Sequence, residues 1–88
     1  MDDQEKMKRF EQVSELYLSE VYMVSYYFVR DEEVASKITR KAFLEFYKNM
    51  ENIREELYKA TLICGAKRIA EQHQKNKDSK GGHDEKKD

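Results

Sequence analysis

Asp31-Glu32-Glu33-Val34-Ala35-Ser36-Lys37-Ile38-Thr39-Arg40-Lys41-Ala42-Phe43-Leu44-Glu45-Phe46-Tyr47-Lys48-Asn49-Met50 is the stretch whose spacing decides the fold. Val34, Ile38, Ala42, Phe46 and Met50 recur every fourth residue and form one apolar stripe, with Ala35, Phe43 and Tyr47 beside it. That period belongs to a helix with one buried side. Asp31 is a good N-cap, and Glu32 and Glu33 sit where the positive end of the helix dipole favours carboxylates. Asn49-Met50-Glu51-Asn52 reads as a stop and turn. The spacing therefore predicts a helix from Asp31 to about Met50.

The same period extends on both sides. Upstream, Phe10, Val13, Tyr17, Val21, Val24 and Phe28 mark one face of a helix predicted over Asp3 to Val29. Its second half, Tyr22 to Val29, is apolar nearly all round, so it is expected to be buried on more than one side or to touch a partner. Downstream, a third helix is predicted from about Arg54 to Gln74, with Leu57, Thr61, Leu62, Gly65, Ile69 and His73 inward. Gly65 inside that helix costs up to about 1 kcal/mol. It is either a point of close helix approach or a tolerated defect. From Lys75 onward no side chain is apolar, and such a segment cannot bury enough surface to order itself.

The expected architecture is thus an all-α, three-to-four-helix domain over residues 1–75, followed by a disordered polar tail, 76–88. With no proline and only three glycines in 88 residues, turn signals are too few for a many-stranded β fold. The single cysteine, Cys64, excludes an internal disulfide, is expected to be a structural thiol, and fits a reducing compartment. No run approaches the roughly 18–20 apolar residues of a membrane span. A cytoplasmic protein without membrane attachment is expected. His73, His83 and Cys64 lack metal-ligand spacing, and no glycine-rich phosphate loop or nucleophile–base set is present. No enzyme, metal or cofactor is expected. The net charge of -1 conceals a gradient: residues 1–33 carry nine acids and four bases, whereas residues 57–80 carry six bases and two acids. A basic third helix is either an ordinary solvated face or a local nucleic-acid footprint.

These residues also carry a resemblance. Asp31 to Met50 resembles the second conserved region of bacterial sigma factors, in the extracytoplasmic-function group of the sigma-70 family. Ala35, Ile38, Thr39, Phe43, Leu44, Tyr47, Asn49 and Met50 match that region in type. Tyr58 to His73 is similar to its third helix and keeps Leu62, Ala66, Lys67, Ile69, Ala70 and His73. Phe10 to Val13 and Glu20 to Tyr22 look like the opening helix, so the resemblance spans residues 8–77. It implies a domain that docks on the clamp helices of the largest subunit of the RNA polymerase core and engages the −10 element of promoter DNA. On that basis Lys37, Ile38, Arg40, Lys41 and Leu44 are the expected polymerase or partner interface. Arg54, Lys59, Lys67, Arg68, Gln72 and Lys75 are the expected DNA-binding residues.

The chain departs from the pattern in three ways. Lys37, Arg40 and Lys41 stand where the family carries Asp, Gln and Glu, and like charges at an interface can cost several kcal/mol. Thr61 replaces a tryptophan. No segment of these 88 residues resembles the family's helix-turn-helix domain for the −35 element. The expectation is a transcription-initiation subunit working beside a separate helix-turn-helix subunit. The alternative is an interaction module on a sigma-like scaffold that binds an anti-sigma-like regulator or other protein without touching DNA.

Overall fold

Two aspartates begin the first two helices. The Asp2 carboxylate accepts the Glu5 backbone N–H at 2.8 Å, and the Asp31 carboxylate accepts that of Val34 at 3.1 Å. Each cap satisfies an otherwise orphaned donor, typically stabilising by about 1 kcal/mol. The computed structural model describes residues 2–83, with side chains placed as far as Lys75. Residues 76–83, expected as part of a disordered tail over 76–88, continue α3, and residues 84–88 of that tail lie outside the described residues. Helix α1 spans Asp3–Val29, α2 spans Glu32–Asn49 and α3 spans Tyr58–His83.

The connection between α1 and α2 is one sharp reversal. Arg30 adopts the left-handed conformation at φ 53°, and its backbone N–H closes on the Tyr26 carbonyl at 2.7 Å. That position favours glycine or asparagine. Here the Arg30 Nε donates to the Tyr27 carbonyl at 3.1 Å, which satisfies another C-terminal acceptor. Between α2 and α3 lie two 3-10 turns, Met50–Asn52 and Glu55–Leu57. The second turn resets the phase of the chain before α3. Leu57, expected inward, is therefore 48% exposed, and Tyr58 is buried in its place.

All three helices pack on one another around a core drawn from each. Val13 and Val21 come from α1, and Ala35, Ile38, Ala42, Phe43 and Phe46 from α2. Met50 follows α2, and Tyr58, Leu62, Ala66, Ile69 and Ala70 come from α3. Phe46 sits at the junction, edge-on to Tyr58 at 5.0 Å and stacked near Phe10 at 6.4 Å. Two polar residues are buried where α1 crosses α2. The Ser25 hydroxyl donates to the Val21 carbonyl at 2.9 Å and that of Thr39 to the Ala35 carbonyl at 2.8 Å. Each bonds one turn back in its own helix, so neither is left orphaned. At the far end the Gln74 side-chain amide donates to the Phe28 carbonyl, tying α3 to the end of α1. The all-α architecture is as expected. Among the described residues no helix is long and apolar enough to cross a membrane.

Candidate functional site

The cations of α3 fall on different flanks, because a helix advances 100° per residue. Ala66, Ile69 and Ala70 face the core. Arg68 and Gln72, one turn apart, lie on the flank nearest α2, and Lys75 is exposed beyond them. Lys67 lies with Cys64 and Glu71 on the solvent ridge, and all three are exposed. Cys64 is thus a surface thiol rather than a buried structural one. Lys59 lies on the flank toward α1, where its ammonium meets Glu20 at 3.1 Å. Arg54 is in the connector, exposed and paired with Glu56 at 3.2 Å. Fourteen residues of helix, about 20 Å at 1.5 Å each, separate Tyr58 from Gln72. The six expected DNA-binding residues therefore do not converge: Arg54 and Lys59 stand near one end of α3, and Arg68, Gln72 and Lys75 toward the other.

Of these, Gln72 meets residues assigned on sequence grounds to a different partner. Lys37 and Lys41 of α2 and Gln72 and His73 of α3 line one groove of about 260 Å³, floored by Val34, Ile38 and Ile69. One turn along α3, Arg68 donates to the Glu45 carboxylate of α2 at 2.7 Å. The result is a basic strip shared by two helices, with one carboxylate clasped into it. Sequence reasoning missed this pooling, because helix periodicity says which residues face inward and not which helices adjoin.

Ile38 is corrected by its position. It was expected at the partner interface, yet it is only 3% exposed and belongs to the core. In a helix whose stripe is Ile38, Ala42 and Phe46, it cannot point outward as its neighbour Lys37 does. The other four expected interface residues, Lys37, Arg40, Lys41 and Leu44, are exposed. Gly65 is also settled: a methyl group built on it would meet nothing within 4 Å, so it marks no close helix approach.

The side of α2 toward α1 carries an apolar groove with Arg40 at its edge. Phe10, Leu18, Tyr22 and Met23 of α1 and Phe43 of α2 line this groove of about 600 Å³. Tyr22 is half-buried there, and burial pushes its hydroxyl above the ordinary value, with Glu32 adding to the effect. Near the other end of α1, the Tyr58 hydroxyl and Glu55 raise the Arg9 guanidinium, which lies 3.5 Å from Glu55. Among the described residues no group of three or more His, Cys, Asp or Glu side chains is placed to hold a metal ion.

Compared with known proteins, this chain matches no family model, no curated protein and no solved structure. What its surfaces can do must be argued from their own chemistry. Lysine and arginine on a polar strip can track phosphates, and an apolar groove can take a protein segment.

Proposed function

We propose that the chain is a sigma-like transcription-initiation subunit that holds single-stranded promoter DNA along the α2–α3 strip. It meets RNA polymerase through the exposed residues of α2, beside a separate subunit that supplies −35 recognition. The supporting observation is that Lys37 and Lys41 of α2 line one groove with Gln72 and His73 of α3, with Arg68 one turn along α3 beside Glu45. Single strands are held by a positive track for the backbone, and a glutamine and an imidazole beside it offer hydrogen bonds and a stacking surface to an unpaired base. The swap of acid for base at Lys37 and Lys41 has a physical use in this reading, since those cations extend the track of α3. The order of helices, with Arg54 exposed in the connector, also fits the resemblance to sigma region 2.

The test is a mixing experiment with the full chain, bacterial RNA polymerase core and a fluorescent single-stranded −10-type oligonucleotide, followed by native gel or size exclusion. Co-migration of all three, weakened when the oligonucleotide is made double-stranded, supports the proposal. Absence of the chain from both the polymerase and the DNA fractions at low salt contradicts it.

A second reading has its own observation. Lys59 and Arg68 are engaged with Glu20 and Glu45, and the α1–α2 groove is open and apolar. These favour a module that binds protein alone. Retention of one non-polymerase protein with no DNA binding in the same experiment selects this reading.

A further inference from the structure

The groove between α1 and α2 is continuous with a second depression of about 620 Å³ in which Phe10 and Phe43 are joined by Leu44 and by three cations, Lys37, Arg40 and Lys41. Phe10, Arg40 and Phe43 line both. Leu18, Met23 and Leu44 are each more than half exposed along this path. From Phe10 to Met23 the α1 side runs about 20 Å, the length of roughly four helical turns. That is the dimension of a helix-in-groove site, which reads apolar anchors one and two turns apart.

Charge chooses the occupant. Among the described residues no carboxylate lines either depression, and the cations gather on the α2 edge. Among the described residues Lys37, Arg40 and Lys41 make no ion pair within the chain, whereas Arg9, Arg54, Lys59 and Arg68 each do. An apolar trough with one unpaired basic rim complements a helix that is apolar on one face and acidic on one flank. We infer that this groove docks an acidic amphipathic helix of a partner protein, its apolar face over Phe10, Phe43 and Leu44 and its carboxylates along Lys37, Arg40 and Lys41. The inference uses the exposed residues of α2 but does not depend on the chain acting in transcription.

Two synthetic helical peptides of about 15 residues test it, sharing one leucine- and phenylalanine-rich face, with glutamates on the flank of one and lysines on that of the other. Titrated into the full chain and followed by NMR, the glutamate peptide is expected to perturb Phe10, Arg40, Phe43 and Leu44. It should bind at least about ten-fold more tightly than the lysine peptide. Leu44→Asp should abolish binding. The triple variant Lys37→Glu, Arg40→Glu, Lys41→Glu should reverse the preference. All four positions are exposed, and circular dichroism of the variants reports whether the helices persist. Equal binding of the two peptides, perturbations confined to α3, or no binding at millimolar concentration would overturn the inference. So would sedimentation showing that a second copy of the chain fills the groove. The two proposals share Lys37 and Lys41, so their failures are told apart elsewhere: Gln72 and His73 report DNA in the α2–α3 groove, and Phe10, Phe43 and Leu44 report the helix in this one.

Discussion

Arg68 and Glu45 meet at 2.7 Å across the α2–α3 groove, 23 residues apart in the chain. Both side chains are about half exposed. An exposed pair of this kind adds about 1 kcal/mol or less to stability. It does, however, hold a cation away from any phosphate that enters the strip. Glu45→Gln is expected to strengthen single-stranded DNA binding several-fold at low salt. It should also steepen the dependence of log K on log salt by about 0.7, the increment for one further phosphate contact. Fluorescence anisotropy across a salt series measures both. An unchanged slope would mean that Arg68 does not reach the DNA.

Gly65 is the clearest stability handle. It sits inside α3, and a Cβ there meets nothing within 4 Å. Gly65→Ala should therefore stabilise the domain by up to about 1 kcal/mol, by helix propensity and by narrowing the unfolded ensemble. Thermal unfolding followed by circular dichroism should show a rise of roughly 4–8 °C per kcal/mol for a domain of this size. A fall in melting temperature would show that the glycine is needed for an approach absent from this structure.

Phe46 lies at the meeting of all three helices, 2% exposed and in ring contact with Phe10 and Tyr58. Removing such a ring typically costs about 3–5 kcal/mol. A single core of this size supplies only about 3–5 kcal/mol in all. Phe46→Ala is expected to leave the chain largely unfolded at 25 °C, while Phe46→Leu remains folded with reduced stability. Urea titrations of the two variants distinguish these outcomes.

Tyr22 carries a pH signature. Burial and the nearby Glu32 raise its ionisation above the ordinary 10.0, so the folded state prefers the neutral phenol. The associated stability is fully present below the ordinary value and is lost as pH rises through the raised one. In an absorbance titration at 295 nm, Tyr22→Phe should remove a component that ionises later than an ordinary tyrosine. Loss of an earlier component instead would place Tyr22 in water.

Much of the fold was legible because the apolar period is strong. Val34, Ile38, Ala42 and Phe46 fix which side of α2 is buried, and Asp31 marks where it starts. What escaped was set by contacts distant in sequence or by local backbone geometry. Ser25 and Thr39 are buried although polar, because each satisfies its hydroxyl within its own helix. Leu57 was placed inward because a short 3-10 turn leaves no periodic trace. At the candidate site the composition revealed a basic third helix. It did not reveal that Lys59 would face Glu20 and Arg68 Glu45, nor that Lys37 and Lys41 would line a groove with Gln72. Tyr22 to Val29, apolar nearly all round, reads as buried on several sides or partner-facing. In the fold Met23 and Tyr27 are each 67% exposed, leaving that apolar surface open.

The most direct test of the central claim is the salt dependence of single-stranded DNA binding for the native chain and for the double variant Lys37→Glu, Lys41→Glu. The expected result is measurable binding at low salt that weakens linearly in log–log form. The slope for the double variant should be shallower by about 1.4, corresponding to two lost phosphate contacts. Identical slopes for the two proteins, or no binding at low salt, would contradict the claim that α2 and α3 form one nucleic-acid track.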